Sequence, residues 1–342
     1  MIDLRSDTVT LPTPEMRRAM AAAELGDDVM GGDPTVNRLQ EMAAERLGKE
    51  AAILVPSGTM GNLIGLLVSA GRGEEVIADT DAHTFMYEAA GAAAVGGIQI
   101  RAVATERGVM SAGQVTAAVR PAGDDHQPRT AALTLEDTHN RHGGVAWPLP
   151  ALRAAAAAGH EAGLTVHLDG ARVFNAAVAT GADVRDIAAC ADTITFCLSK
   201  GLCCPAGSIV CGPAGVIAEA RRKRKMLGGG MRQSGVLAAA GIIALTSMVD
   251  RLAEDHANAR RLAEGLAEMP GMKCDPTRAE TDIVIVALTD MDPAAFLEGC
   301  RARGLLAGSM GGDRVRFVTH HGISAADIQA TLEIVAETLP GC

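Results

Sequence analysis

An α/β architecture, with a mostly parallel sheet and a smaller C-terminal α+β block, is what this sequence predicts. Three observations lead there. Seven short, β-branched, apolar runs recur through the first two thirds of the chain. Longer stretches with helical spacing separate them. The runs are continuously apolar rather than alternating, as strands covered on both faces are. At 342 residues the chain has length enough for two domains.

In chain order, strands are expected at 51–55 (AAILV), 75–78 (EVIA), 98–103 (IQIRAV), 130–136 (TAALTLE), 164–169 (LTVHLD), 192–197 (DTITFC) and 207–212 (GSIVCG). Helical stretches between them include 59–71, 148–163 and 171–180. After the glycine-rich LGGGMRQSG comes one long helical pattern over roughly 233–268. The remainder reads strand, helix, strand, helix: DIVIVAL, PAAFLEGCRARG, DRVRFVTH and SAADIQATLEIVAETL. The expected division is a large domain over 1–249 and a small one over 250–342.

Charge and composition exclude several classes. A net charge of −10 argues against nucleic-acid and anionic-membrane partners. The basic run Arg221–Lys225 reads as a solvated helix face. Eight cysteines without a CxxC pair fit neither a zinc site nor a disulfide scaffold, so reduced thiols in the cytoplasm are expected. The N-terminus has no apolar signal-type segment, and the apolar stretch 235–245 is too short to span a bilayer.

In open α/β sheets, ligands bind beyond the carboxyl ends of strands, so chemistry is expected at those ends. After 51–55 comes PSGTMGN, where Ser57, Gly58 and Thr59 open a helix. Free amides at a helix N-terminus suit a phosphate, although an ordinary Ser/Thr cap reads the same way. Asp169 ends the strand 164–169, where an unpaired carboxylate is costly. Its partner is either Arg172, one turn on, or a protonated ring nitrogen of a cofactor. Lys200 follows the strand 192–197. It either reaches solvent or a carboxylate, or serves as an imine-forming nucleophile. A phosphate mouth, an acid and a lysine are the three functions that pyridoxal 5'-phosphate requires.

The blocks MIDLRSDTVT, GDDV, PSGTMGN, THNR, VHLDGARVFNA, CLSKGL, LGGGMRQSGVLAAAGI and RFVTH carry a resemblance over essentially the full length. The chain resembles the low-specificity L-threonine aldolases, which are fold-type I, pyridoxal-phosphate-dependent enzymes. That resemblance implies a large cofactor-binding domain whose site the N-terminal segment reaches. It implies a Schiff-base role for Lys200, protonation of the pyridine nitrogen by Asp169, and phosphate binding by Gly58 and Thr59. Arg232 resembles an arginine that reaches the phosphate of a neighbouring subunit, in a homotetramer (a dimer of dimers) with shared sites. His83 matches a histidine that stacks on the cofactor, and His126 a second histidine near the substrate; both are candidate bases. Ser6, Arg172 and Arg316 are implied for the substrate carboxylate, with Arg172 also at the cofactor. The implied reaction is cleavage of L-threonine, L-allo-threonine or a related β-hydroxy-α-amino acid to glycine and an aldehyde. A related lyase performing β-elimination, or one preferring bulkier substrates such as phenylserine, is the alternative. Three positions depart from the family pattern: Met30 stands where tyrosine is usual, Met86 where an aromatic is, and Asp137 where asparagine is. Met30 is expected to remove a hydroxyl near the pocket, and Asp137 to add a charge.

Overall fold

The computed structural model describes residues 1–339. All seven expected strands are present, as Ala51–Val55, Glu75–Asp79, Gln99–Val103, Thr130–Glu136, Thr165–Asp169, Thr193–Cys197 and Ser208–Gly212. They form one sheet, in the order 51–55, 208–212, 193–197, 165–169, 130–136, 75–79, 99–103. Ser208–Gly212 runs antiparallel to both neighbours, and every other pairing in this sheet is parallel. The carboxyl ends of six strands therefore share one edge.

The helix Gly58–Ser69 packs directly on this sheet. A Cβ at Gly61 would stand 2.6 Å from Thr195 Cγ2, and one at Gly65 would stand 2.2 Å from His167 Cε1. Small residues four apart thus form a flat stripe that lets the helix approach the strands closely. That approach sets its N-terminus beside the end of Thr193–Cys197.

A second core lies over an antiparallel sheet built from Ile283–Leu288, Arg314–Val318, Gly308–Gly311 and Met272–Lys273. The helices Leu252–Ala267, Pro293–Ala302 and Ala325–Thr338 contribute to it. The N-terminus departs from the expected division. Ile2–Asp3 pairs in parallel with Leu305–Leu306, and Leu4 is fully buried in this second core. Residues 6–10 then cross to the large sheet, where Thr10 Oγ1 donates to the Lys200 carbonyl at 2.9 Å.

Two further expectations are corrected. The helical pattern over 233–268 is two helices, with α-helix at Gly235–Ile243, a π turn at Ala244–Met248, and Leu252–Ala267 bent away by 68°. The two halves bury their apolar faces in different cores. A straight helix would carry Leu262 and Leu266, both fully buried, away from the second core. Each such leucine is worth roughly 1.5–3 kcal/mol, more than a backbone hydrogen bond lost at the bend, worth about 1 kcal/mol. Among the described residues no single helix is long and apolar enough to cross a membrane. The basic run is also not wholly solvated. Arg224 is buried, paired with Asp28 at 2.7 Å and donating to the Leu54 carbonyl at 2.6 Å.

Candidate active site

Lys200 stands two residues past Leu198, just beyond the strand Thr193–Cys197, half-buried. Its Nζ makes no hydrogen bond or ion pair with any described residue, so no carboxylate holds it in place. That charge is near enough to act on both Asp7 and His83.

Asp169 ends the neighbouring strand and is 2 % exposed. Its carboxylate accepts from Asn62 Nδ2 at 2.8 Å and from the Ala171 amide at 3.0 Å. Arg172 is not its partner. The Arg172 guanidinium instead grips buried Asp7 with two bonds of 2.7 Å. Among the described residues Asp169 therefore has no arginine or lysine partner. A buried carboxylate in that state retains a demand for positive charge.

At the helix mouth, Ser57 accepts from the Met60 amide at 3.2 Å, which leaves the amides of Gly58 and Thr59 without acceptors among the described residues. Gly58 is required there, because a Cβ would lie 2.7 Å from Cys197 Sγ. Two free amides and the positive end of the helix dipole form an anion cradle.

A second anion locus lies across the site. Arg172 Nη1 and Arg316 Nη1 converge on Asn140 Oδ1, at 3.3 and 3.1 Å. Arg316 Nη2 donates to the Arg5 carbonyl at 3.1 Å, and its Nε is buried without a partner. Burial and the repulsion of Arg172 lower the Arg316 pKa, with Asp7 and Asp282 opposing them. A guanidinium whose hydrogen-bond partners are only an amide oxygen and a carbonyl keeps an unneutralised charge, which suits an anion. Asp7 engages two of the Arg172 donors and Asn140 a third, whereas Arg316 has no carboxylate in hydrogen-bond contact. Ser6, the cap of the turn Asp7–Val9, accepts from Thr8 Oγ1 at 2.9 Å on the same segment as Asp7.

His83 begins a short helix after the strand Glu75–Asp79. Its Nδ1 lies 2.9 Å from Glu88 Oε1, and its amide donates to Glu136 Oε2 at 2.6 Å. Burial works to lower the His83 pKa, but the Glu88 bond and the charge of Asp169 outweigh it, and the net shift is upward. Glu88 itself is pushed up by burial and by Asp169. Asn62 Nδ2 bridges Glu88 and Asp169, at 2.8 Å to each.

The matching profile of known families is that of the beta-eliminating lyases, over residues 3–290. The chain belongs to that family. It is 47% identical to the low specificity L-threonine aldolase of Escherichia coli (strain K12) over 325 residues, covering 95% of each chain. It is 40% identical to low-specificity L-threonine aldolase 1 of Arabidopsis thaliana over 344 residues, 99% of this chain and 96% of that one. Among solved structures, a Leishmania major threonine aldolase superposes with a TM-score of 0.84 at 17% identity, covering 98% of this chain and 99% of that one. The fold is thus that of the fold-type I enzymes.

Within this beta-eliminating lyase chain, some expected residues are not brought to the site. His126 is exposed in the segment before Thr130–Glu136, and its amide donates to Asp124. The site lies past that strand's other end, about 20 Å away for seven residues. The chain's own His126 cannot reach it. Arg232 also faces outward, its side chain 54% exposed and paired with Asp27 at 2.9 Å. Met30, 82 % exposed on the Asp28–Met30 turn, does not line this chain's pocket, contrary to expectation.

Asp137 was expected to add a charge, and the structure corrects that. Its carboxyl is 1 % exposed, and burial drives its pKa up to about 8 despite a bond from the Trp147 amide, with Glu280 and Glu136 adding to the rise. At neutral pH it holds its proton and resembles the usual asparagine in both shape and charge. The unfolded chain loses this proton near pH 4 and the folded chain near pH 8, so the unfolded state binds fewer protons in between. Stability present below pH 4 is lost as pH rises through 8. Asp137→Asn is expected to flatten that decline, raising the melting temperature at pH 8 by about 2 °C or more. Melts of both proteins at pH 5, 6.5 and 8 test this; parallel declines would refute it.

Asp7, Asn62, Glu88, Glu136 and Asn140 were not anticipated. Asn62 carried one signal, as a lone amide in an otherwise apolar helix, four residues from Gly58. Asp7, Glu136 and Asn140 work through partners distant in sequence, and Glu88 through Asn62 and through His83, five residues before it.

Proposed function

We propose that the protein is a pyridoxal-phosphate-dependent aldolase that cleaves L-threonine, L-allo-threonine or a related β-hydroxy-α-amino acid to glycine and an aldehyde. The observation that carries this reading is the buried Asp169 with no arginine or lysine partner, on the strand beside Lys200. The residues fit the cofactor: Asp169 would meet the pyridine nitrogen, Gly58 and Thr59 the phosphate, and Lys200 the aldehyde. When bound, the cofactor supplies an aldehyde that condenses with amines and a ring that accepts the electron pair of a broken Cα bond.

The protein's own residues supply the rest. The Arg316 guanidinium and Ser6 hold the substrate carboxylate, and Asn140 fixes that guanidinium between Arg172 and the Arg5 carbonyl. Holding that carboxylate decides which bond at Cα is aligned for cleavage. His83 is the candidate base for the β-hydroxyl. With its Nδ1 proton on Glu88, Nε2 carries the lone pair.

The outward Arg232 supports a site completed between subunits. Leu25, Met30 and Met226 are exposed on the segments flanking it, as a contact surface would be. In a homotetramer Arg232, and His126 likewise, would serve a second copy's site. The seven described cysteines are free thiols, which supports the cytoplasmic reading.

Products formed from L-threonine, L-allo-threonine and L-phenylserine side by side test the proposal. Glycine with the matching aldehyde is the expected result. Ammonia with a keto acid would replace the aldolase by the β-elimination that the family's name also carries.

A further inference from the structure

We infer that Asp79, Asp81, His139 and His142 form a divalent transition-metal site, matched best by Zn²⁺, beside the active site. One ligand atom each from Asp79, His139 and His142 falls within 4.8 Å of the others. His139 Nε2 stands 3.2 Å from Asp79 Oδ1, and His142 Nε2 stands 4.0 Å from the same oxygen. Asp81 Oδ2 adds a fourth donor, 3.4 Å from His142 Nε2. In a tetrahedral zinc site with bonds near 2.0 Å, ligand atoms are separated by roughly 3.3 Å. Shifts of up to about 1.5 Å would close the trio, and a turn of the Asp81 side chain would bring in the fourth donor.

The second observation is a lack of partners. His139 is fully buried, yet neither of its ring nitrogens finds hydrogen-bonding geometry, the Nε2 contact with Asp79 included, and His142 Nε2 is buried without a hydrogen bond as well. An imidazolium–carboxylate pair between His139 and Asp79 is the simpler arrangement. It accounts for two of the groups and leaves His142 Nε2 beside Asp81 Oδ2 and Asp79 Oδ1 without a hydrogen bond to either. A cation between the rings, whose centroids are 4.7 Å apart, answers both nitrogens with Asp79.

The surroundings suit a resident ion. Asp79 is oriented by Thr105 Oγ1 at 2.5 Å and by the Asp81 amide at 2.7 Å, the kind of outer support that ligating carboxylates have. Arg141 Nε, 3.8 Å from Asp81 Oδ1, opposes a cation but leaves Oδ2 free. The His142 and Asp81 side chains are 24% and 37% exposed, which gives an ion a way in. Two imidazoles and carboxylates favour Zn²⁺ over Mg²⁺ or Ca²⁺. The ion would tie the end of the strand Glu75–Asp79, which leads to His83, to the turn Asn140–His142, which carries Asn140. It would thus brace two active-site residues without touching substrate.

Titration of Zn²⁺ into chelator-treated, cofactor-loaded protein, followed calorimetrically, tests this independently of the aldolase reading. One ion per chain is expected, with affinity falling about 100-fold in His142→Gln. His142 is partly exposed, so this variant should fold; Asp81→Asn gives a second one. Co²⁺ should show the visible bands of a tetrahedral site without thiolate charge transfer. Zinc uptake equal in the native protein and both variants, no uptake, or a thiolate signature would each overturn the inference.

Discussion

Lys200→Ala is expected to lose glycine release from L-threonine by at least about 10⁴-fold while the chain stays folded. The size of the effect follows from the role, since an amine that bonds covalently to a cofactor has no substitute in the site. The retention of fold follows from the structure. Lys200 Nζ has no partner among the described residues, and the bonds that fix its loop are made by its main-chain carbonyl to Thr10 Oγ1 and the Cys203 amide. Alanine keeps both. The melting temperature of cofactor-free protein should therefore change by no more than about 2 °C, within the range of surface substitutions. Visible absorbance and borohydride labelling read the cofactor attachment directly, and both should vanish. Activity near that of the native protein would remove Lys200 from the mechanism. A large drop in melting temperature would mean that its stem, not its amine, matters.

The large sheet was legible because its strands are short, buried and apolar throughout. Gly, Pro or Asp punctuates most of them, and all seven were anticipated to within a residue at each end. Strands of two residues, such as Ile2–Asp3 and Leu305–Leu306, leave no period to read. The bend at 249–251 was invisible for a different reason. Both flanking helices are apolar, and the pattern does not record that they face different cores. Site residues divide the same way. Lys200, Asp169 and the Gly58 mouth stand at strand ends, a position that sequence alone reveals. Asp7 is 165 residues from the arginine it holds, and Asn140 is 176 from Arg316. Only the folded chain brings these together. The resemblance proposed Arg172 for the substrate carboxylate, but Asp7 already occupies two of its donors.

Asp169→Asn is expected to lower kcat by about 10²–10³-fold and, unusually for a buried polar site, to leave cofactor-free protein as stable as before or more so. The carboxylate is buried, and its hydrogen bonds come from one amide side chain and one backbone amide. Removing its charge therefore removes a desolvation cost and breaks no ion pair. The asparagine oxygen can keep the Ala171 bond. Its new N–H₂ then faces Asn62, whose amide must turn to accept. The turned amide presents its oxygen to Glu88, whose pKa burial has already raised, so Glu88 can hold the proton that completes the chain. What asparagine cannot supply is a negative charge for a protonated pyridine nitrogen. The two readouts must diverge if that is the task of Asp169: a lower rate with an unchanged or higher melting temperature. A fall in both would make Asp169 a structural residue, and near-native kcat would leave its buried charge without a function.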